Sequence, residues 1–157
     1  MPNWCDNGVT LLHTDPAMLD RVRKSFNEER LFQEFLPLNE DAGVFDSRET
    51  WGTKWDVSPI EISERDGGVF LSFYTAWTPP IPFYEKLAEN GFSITAYYFE
   101  PGCGFCGRFT HDEGESYYEI EDDDADWVRE NIPTDIDTYY GISDMIDEMG
   151  EEDEQEN

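Results

Sequence analysis

Positive charge is what this sequence has least of. Ten lysines and arginines stand against thirty-seven aspartates and glutamates, a formal charge of −27 over 157 residues. A surface of that sign repels phosphate backbones and anionic lipid, which argues against direct nucleic-acid or membrane-surface binding. Histidine occurs twice and cysteine three times, with no second C-x-x-C and no paired histidine motif to complete a closed zinc site. An odd cysteine count, away from framework spacings, points to a reducing compartment. No run of eighteen apolar residues occurs, and Met1-Pro2-Asn3-Trp4 is expected to lead straight into structure without a signal peptide.

Aromatic residues are plentiful at 15%, enough bulky material to give a chain of this length one domain with its own core. Val57, Ile60 and Ile62, then Val69, Leu71, Phe73 and Thr75, alternate with polar neighbours around Arg65-Asp66-Gly67-Gly68. That pattern predicts a β-hairpin. Trp51, Trp55 and Trp77 fall at its open end, and Thr78-Pro79-Pro80-Ile81-Pro82 stops the second strand and prepares a helix start.

Upstream, Trp4 to Thr14 reads as a strand. Asp15-Pro16 then opens a helix over about 15–29, with Met18, Leu19, Val22 and Phe26 on one face. Residues 31–50 show no clean period. Leu31, Phe32, Phe35 and Leu36 are expected to cover the core edge, and Asn39 to Ser47 to form a loop. Downstream come a helix from Pro82 to Asn90, closed by Gly91, and a strand from Phe92 to Phe99.

The order β-α-β-β-α-β predicts an α+β, ferredoxin-like sheet. Gly104–Thr110 and Glu115–Ile120 flank the turn His111–Gly114 and read as an appended antiparallel hairpin on the sheet edge. Asp122–Asp124 would cap a short helix holding Trp127 and Val128, ended by Pro133. Ile142, Met145, Ile146 and Met149 mark a last amphipathic helix. The expected division is 1–121 for the ferredoxin-like domain with its extra hairpin and 122–150 for an acidic helical extension packed on it. An acidic tail without order is expected over 151–157.

Four strings stand in a fixed sequence: Met1-Pro2-Asn3-Trp4-Cys5, Trp51-Gly52-Thr53-Lys54-Trp55-Asp56, Thr75-Ala76-Trp77-Thr78-Pro79-Pro80, and Glu100-Pro101-Gly102 with Gly104-Phe105-Cys106-Gly107. Together they resemble the Api-ninety-two-like proteins of bacteriophages and plasmids, over about residues 1–121. The resemblance implies a ferredoxin-like domain, a mobile-element origin and, with it, the cytoplasm of a bacterial host. It brings no catalytic residues, and it leaves the acidic segment after 121 outside.

Several residues are candidates for chemistry. Cys103-Gly104-Phe105-Cys106 has the spacing of a metal or thiol pair, but its glycine is better explained by a turn into the strand at Phe105. Asp122, Asp124 and Asp126 imitate the opening of a calcium loop. Trp127 and Pro133 then occupy the positions where that loop needs glycine and glutamate, so no metal or cofactor is expected. An enzyme is the alternative reading, working through an N-terminal Pro2 or through Cys5 with His13 or His111 near a Trp51–Trp55 pocket. Against it, Trp4 and Trp55 are expected to pack and Lys54 to pair with Asp56. A tryptophan platform for RNA bases would need interleaved basic residues, which are absent.

The remaining outlier is the acidic end. His111–Asn157 carries twenty aspartates and glutamates and one arginine, against seventeen acidic and nine basic residues in 1–110. Glu119, Glu121, Asp122, Asp123, Asp124, Asp126, Asp144, Asp147 and Glu148 are therefore the expected partner-binding residues. Held in order, they would imitate a polyanion and occupy a basic nucleic-acid-binding channel. The expected role is an anti-defence inhibitor: a DNA mimic that occludes a host nucleic-acid-handling protein without turnover.

Overall fold

The computed structural model describes the backbone of residues 3–156 and the side chains of residues 3–150. Strand β1 (Trp4–Leu12) is the centre of a six-stranded antiparallel sheet. It pairs on one side with β3 (Gly68–Ala76) and on the other with β4 (Ser93–Glu100). Beyond β3 lies β2 (Ser58–Arg65), and beyond β4 the appended hairpin β5 (Phe105–Thr110) and β6 (Gly114–Glu119), giving the order β2-β3-β1-β4-β5-β6. The first four strands with their two crossover helices form the ferredoxin-like unit expected from the sequence, and the hairpin extends its edge.

Successive side chains of a strand point to opposite faces, and β1 shows it. Cys5, Asn7, Val9 and Leu11 are buried on one face, while Trp4, Asp6, Gly8 and Thr10 point to the other. The first face meets α1 (Pro16–Asn27), α2 (Leu31–Phe35) and α4 (Ile81–Glu89), which close the main core with Leu71, Phe73 and Ile94. Asn7 is tolerated there because its amide is bonded: Nδ2 donates to Thr75 Oγ1 at 2.9 Å, and Oδ1 accepts from Tyr84 Oη at 2.8 Å.

Residues 31–51 depart from expectation. Phe32 lies at the middle of the core, with ring centroids 4.7 Å from Phe83, 5.9 Å from Phe73 and 5.9 Å from Trp51. The segment expected as loop ends in a helix, α3 (Val44–Trp51). Asp46 starts it by accepting the Gly43 N–H at 2.9 Å, and Gly52 in the left-handed region ends it. Only Ser47 and Trp51 of α3 are buried, so no apolar period announces it. Asp56 does not pair with Lys54. Its carboxylate accepts the N–H groups of Phe32, Gln33 and Val57, which anchors the first turn of α2, while Lys54 lies over the Trp55 ring at 4.5 Å.

The other face of the sheet receives α5 (Ala125–Asn131), α6 (Thr134–Tyr140) and α7 (Ile142–Glu156). Their Val128, Ile132, Ile136 and Ile142 form a second core with Phe99 of β4 and Cys106 of β5. Gly8 makes room for this layer, because a Cβ there would stand 1.7 Å from the Tyr139 hydroxyl oxygen. Tyr140 Oη lies within hydrogen-bond reach of the Asp6 and Tyr97 carbonyls, at 3.1 and 2.9 Å. The Arg108–Asp135 ion pair joins β5 to α6. The backbone of 151–156, expected as part of an unordered tail, continues α7 instead; the side chains of 151–157 lie outside the described residues.

Candidate functional site

The second layer positions the acidic residues. Asp124 caps α5, its carboxylate accepting the Asp126 N–H at 3.1 Å. Arg129, one turn on, reaches Asp126 at 3.6 Å and, across to α7, Asp144 at 3.6 Å and Asp147 at 2.6 Å. Four of the nine expected partner-binding carboxylates are therefore engaged within the protein. Glu119 and Glu121 line a shallow concavity with Tyr117, Tyr118, Trp127 and Asn131. Asp122 and Asp123 lie in the segment entering α5, and Glu148 follows Asp144 by one turn of α7. All nine side chains are exposed.

Burial places Cys5 and Cys106 against nucleophilic chemistry. Cys5 is fully buried under the sheet, and burial pushes its thiol up, far from a reactive thiolate. Neither histidine serves it: His13 Nε2 lies 2.9 Å from the Asn90 carbonyl and His111 Nδ1 accepts the Ile94 N–H at 3.1 Å. Trp51, expected with Trp55 to wall a pocket, is instead buried, with its indole N–H on the Leu36 carbonyl at 2.7 Å, while Trp55 is exposed. Pro2 lies outside the described residues. Cys106 sits in the second core, its thiol pushed up to about 12 by burial, whereas Cys103 is exposed. Among the described residues no group of three or more His, Cys, Asp or Glu is placed to hold a metal ion. A thiol reagent is accordingly expected to titrate one cysteine in the native protein and three after denaturation. Rapid native labelling of two or three would contradict these burials.

A feature that the sequence reading missed lies where the second layer stops short of the β2–β3 side of the sheet. There, a cleft of about 850 Å³ runs between Trp4 and Tyr74 on the open face and Phe99, Tyr140 and Met145 beside the C-terminal helices. Asp6 lines it, and partial burial raises its carboxyl above the ordinary aspartate value. Trp4, Tyr74 and Met145 are 41%, 41% and 42% exposed. A carboxyl whose folded pKa is raised costs stability once pH passes its unfolded value, about 3.9, and the cost is complete above the folded value. Asp6→Asn is therefore expected to be more stable than the parent at pH 7, with the difference vanishing toward pH 3. Denaturant midpoints at both pH values check it, and a variant less stable at pH 7 would contradict the assigned desolvation.

A family model described as the ferredoxin-like domain in Api92-like protein matches residues 50–140. The match runs past residue 121 through α5 and α6. The first two acidic helices therefore fall inside the family domain, not beyond it as the resemblance over 1–121 implied. Among solved structures, the crystal structure of Api92 from Yersinia pseudotuberculosis is similar at 19% identity and a TM-score of 0.38, over 55% of this chain and 33% of that one. The chain thus spans about a third of that protein's length. No curated protein matches. No helix among the described residues is long and apolar enough to cross a membrane.

Proposed function

The chain belongs to the Api92-like family by its ferredoxin-like domain, and on that premise we propose that it is a non-catalytic accessory protein of a phage or plasmid. It binds a basic, nucleic-acid-handling host protein, with defence nucleases the foremost class, in the host cytoplasm. Its carboxylates occlude the channel in which that protein holds nucleic acid. One observation carries the reading: the acidic elements are fixed to a scaffold. Val128, Ile132, Ile136 and Ile142 seat α5–α7 on the sheet, and Arg129 bridges Asp126 of α5 to Asp144 and Asp147 of α7. A solubilising tail has no use for that packing. Fixed charge spares the partner the entropy of ordering it.

Proteins captured from bacterial lysate on the immobilised chain at low salt should be basic nucleic-acid binders. Added duplex DNA should displace them, and physiological salt should release most of them. Capture indifferent to both salt and DNA would overturn the proposal.

A further inference from the structure

The cleft beside Asp6 has the chemistry of a cation site. Two of its walls are partly exposed aromatic side chains, Trp4 and Tyr74, with ring centroids 6.3 Å apart, and Trp55 extends the cluster 6.1 Å from Trp4. Ring faces attract cations, most strongly where water is partly excluded. The neighbouring surface already does so, since the Lys54 ammonium stands 4.5 Å above the Trp55 ring. Asp6 supplies the countercharge. None of the ion pairs among the described residues involves it.

The rim is held in place before any ligand arrives. The Asn3 carbonyl accepts the Trp77 N–H at 2.8 Å, and Trp77 sits at φ 70°, a left-handed conformation that a bulky residue adopts only when its surroundings impose it. Asn3 Nδ2 donates to Cys103 Sγ at 3.2 Å, tying the same residue to the loop after β4. Trp4, the next residue, is thereby fixed at the mouth.

We propose that this cleft seats an arginine side chain of the basic partner, its guanidinium plane stacked on Trp4 or Tyr74 and its N–H fork on the Asp6 carboxylate. The inference rests on the partner reading above and sharpens it to one contact. Arginine suits the site better than lysine because a planar, weakly hydrated guanidinium can stack and fork at once. With a net charge of −27, the surroundings favour a cationic occupant. The volume lies within the ordinary range for ligand pockets of about 300–1,000 Å³.

The test is an NMR titration of the whole protein with acetyl-Gly-Arg-Gly-amide and with its citrulline counterpart, uncharged but equal in shape. The arginine peptide should shift the Trp4 indole N–H and the Tyr74 and Phe99 amides saturably. Citrulline, Asp6→Asn and Trp4→Ala should each weaken binding by about tenfold, the scale of one desolvated cation–π or charge-assisted contact. Glu85→Gln, on α4 across the sheet, should leave it unchanged. Equal binding of the citrulline peptide, or shifts confined to α5–α7, would overturn the proposal. The two readings fail separately. Salt-released capture without peptide binding removes the cleft and spares the role of the acidic elements. Peptide binding at Trp4 without salt-sensitive capture removes the role of the acidic elements and leaves the cleft.

Discussion

Changing Glu119, Glu121, Asp122, Asp123 and Glu148 together to glutamine and asparagine is expected to slow association with a captured basic partner by about 10- to 10³-fold at low salt. Dissociation should change less, because exposed charges steer encounter more than they hold the docked complex. These five are the expected partner-binding carboxylates that take part in no cap or ion pair among the described residues. Asp124 stays because it caps α5, and Asp126, Asp144 and Asp147 stay because Arg129 gathers them. The variant therefore alters the field and leaves the scaffold intact.

A control variant removes the same formal charge elsewhere, at the exposed Glu28, Glu29, Glu40, Asp41 and Glu49. If net charge alone attracts the partner, both variants slow association equally and these five positions have no special standing. If their placement matters, the control retains most of the parent rate. Stopped-flow or biosensor kinetics at two salt concentrations separate the outcomes.

The second large effect is structural. Phe32→Ala is expected to cost about 3–5 kcal/mol, a substantial part of the stability of a domain this size. Phe32 is fully buried and packs its ring against Phe83, Phe73 and Trp51, which belong to α4, β3 and α3. Removing it opens a cavity that three separate elements would have to close. Phe45→Ala, in the neighbouring helix, should shift stability by less than about 0.5 kcal/mol, because that ring is 71% exposed. Chemical denaturation of both variants makes the comparison. A small loss at Phe32 would mean that α2 is peripheral.

That pair of phenylalanines shows where sequence reading ran out. Both stand in the stretch 31–50, where no helical or strand period is visible. Phe32 was expected at the core edge, and Phe45 fell within the expected loop. The five-residue α2 is too short to display a period. It is anchored from outside its own segment, by the carboxylate of Asp56 on the Phe32 and Gln33 N–H groups. A contact twenty-four residues away in sequence leaves no local trace. Lys54 misled for a related reason: an adjacent opposite charge suggested a pair, but Asp56 was taken by backbone donors and the ammonium went to the Trp55 ring.

The cleft was invisible for the same cause at greater range. Trp4 and Asp6 come from the first strand, while Tyr140 and Met145 come from the last two helices. What joins them is docking of the second layer across Gly8, whose lack of a side chain admits Tyr139.

From the amino-acid order alone came the ferredoxin-like succession of strands and helices, the two hairpins and the concentration of acid toward the C-terminal end. Those rest on periods of two and 3.6 residues, on turn chemistry and on charge counting, all of which act over a few neighbours. The tertiary structure alone decided which carboxylates are spent on caps and ion pairs and which stay bare. It also decided that Phe32 is central and that an aromatic cleft opens beside Asp6. Each depends on side chains from distant segments meeting across a sheet, and that proximity is set by strand register and by packing of two layers on opposite faces.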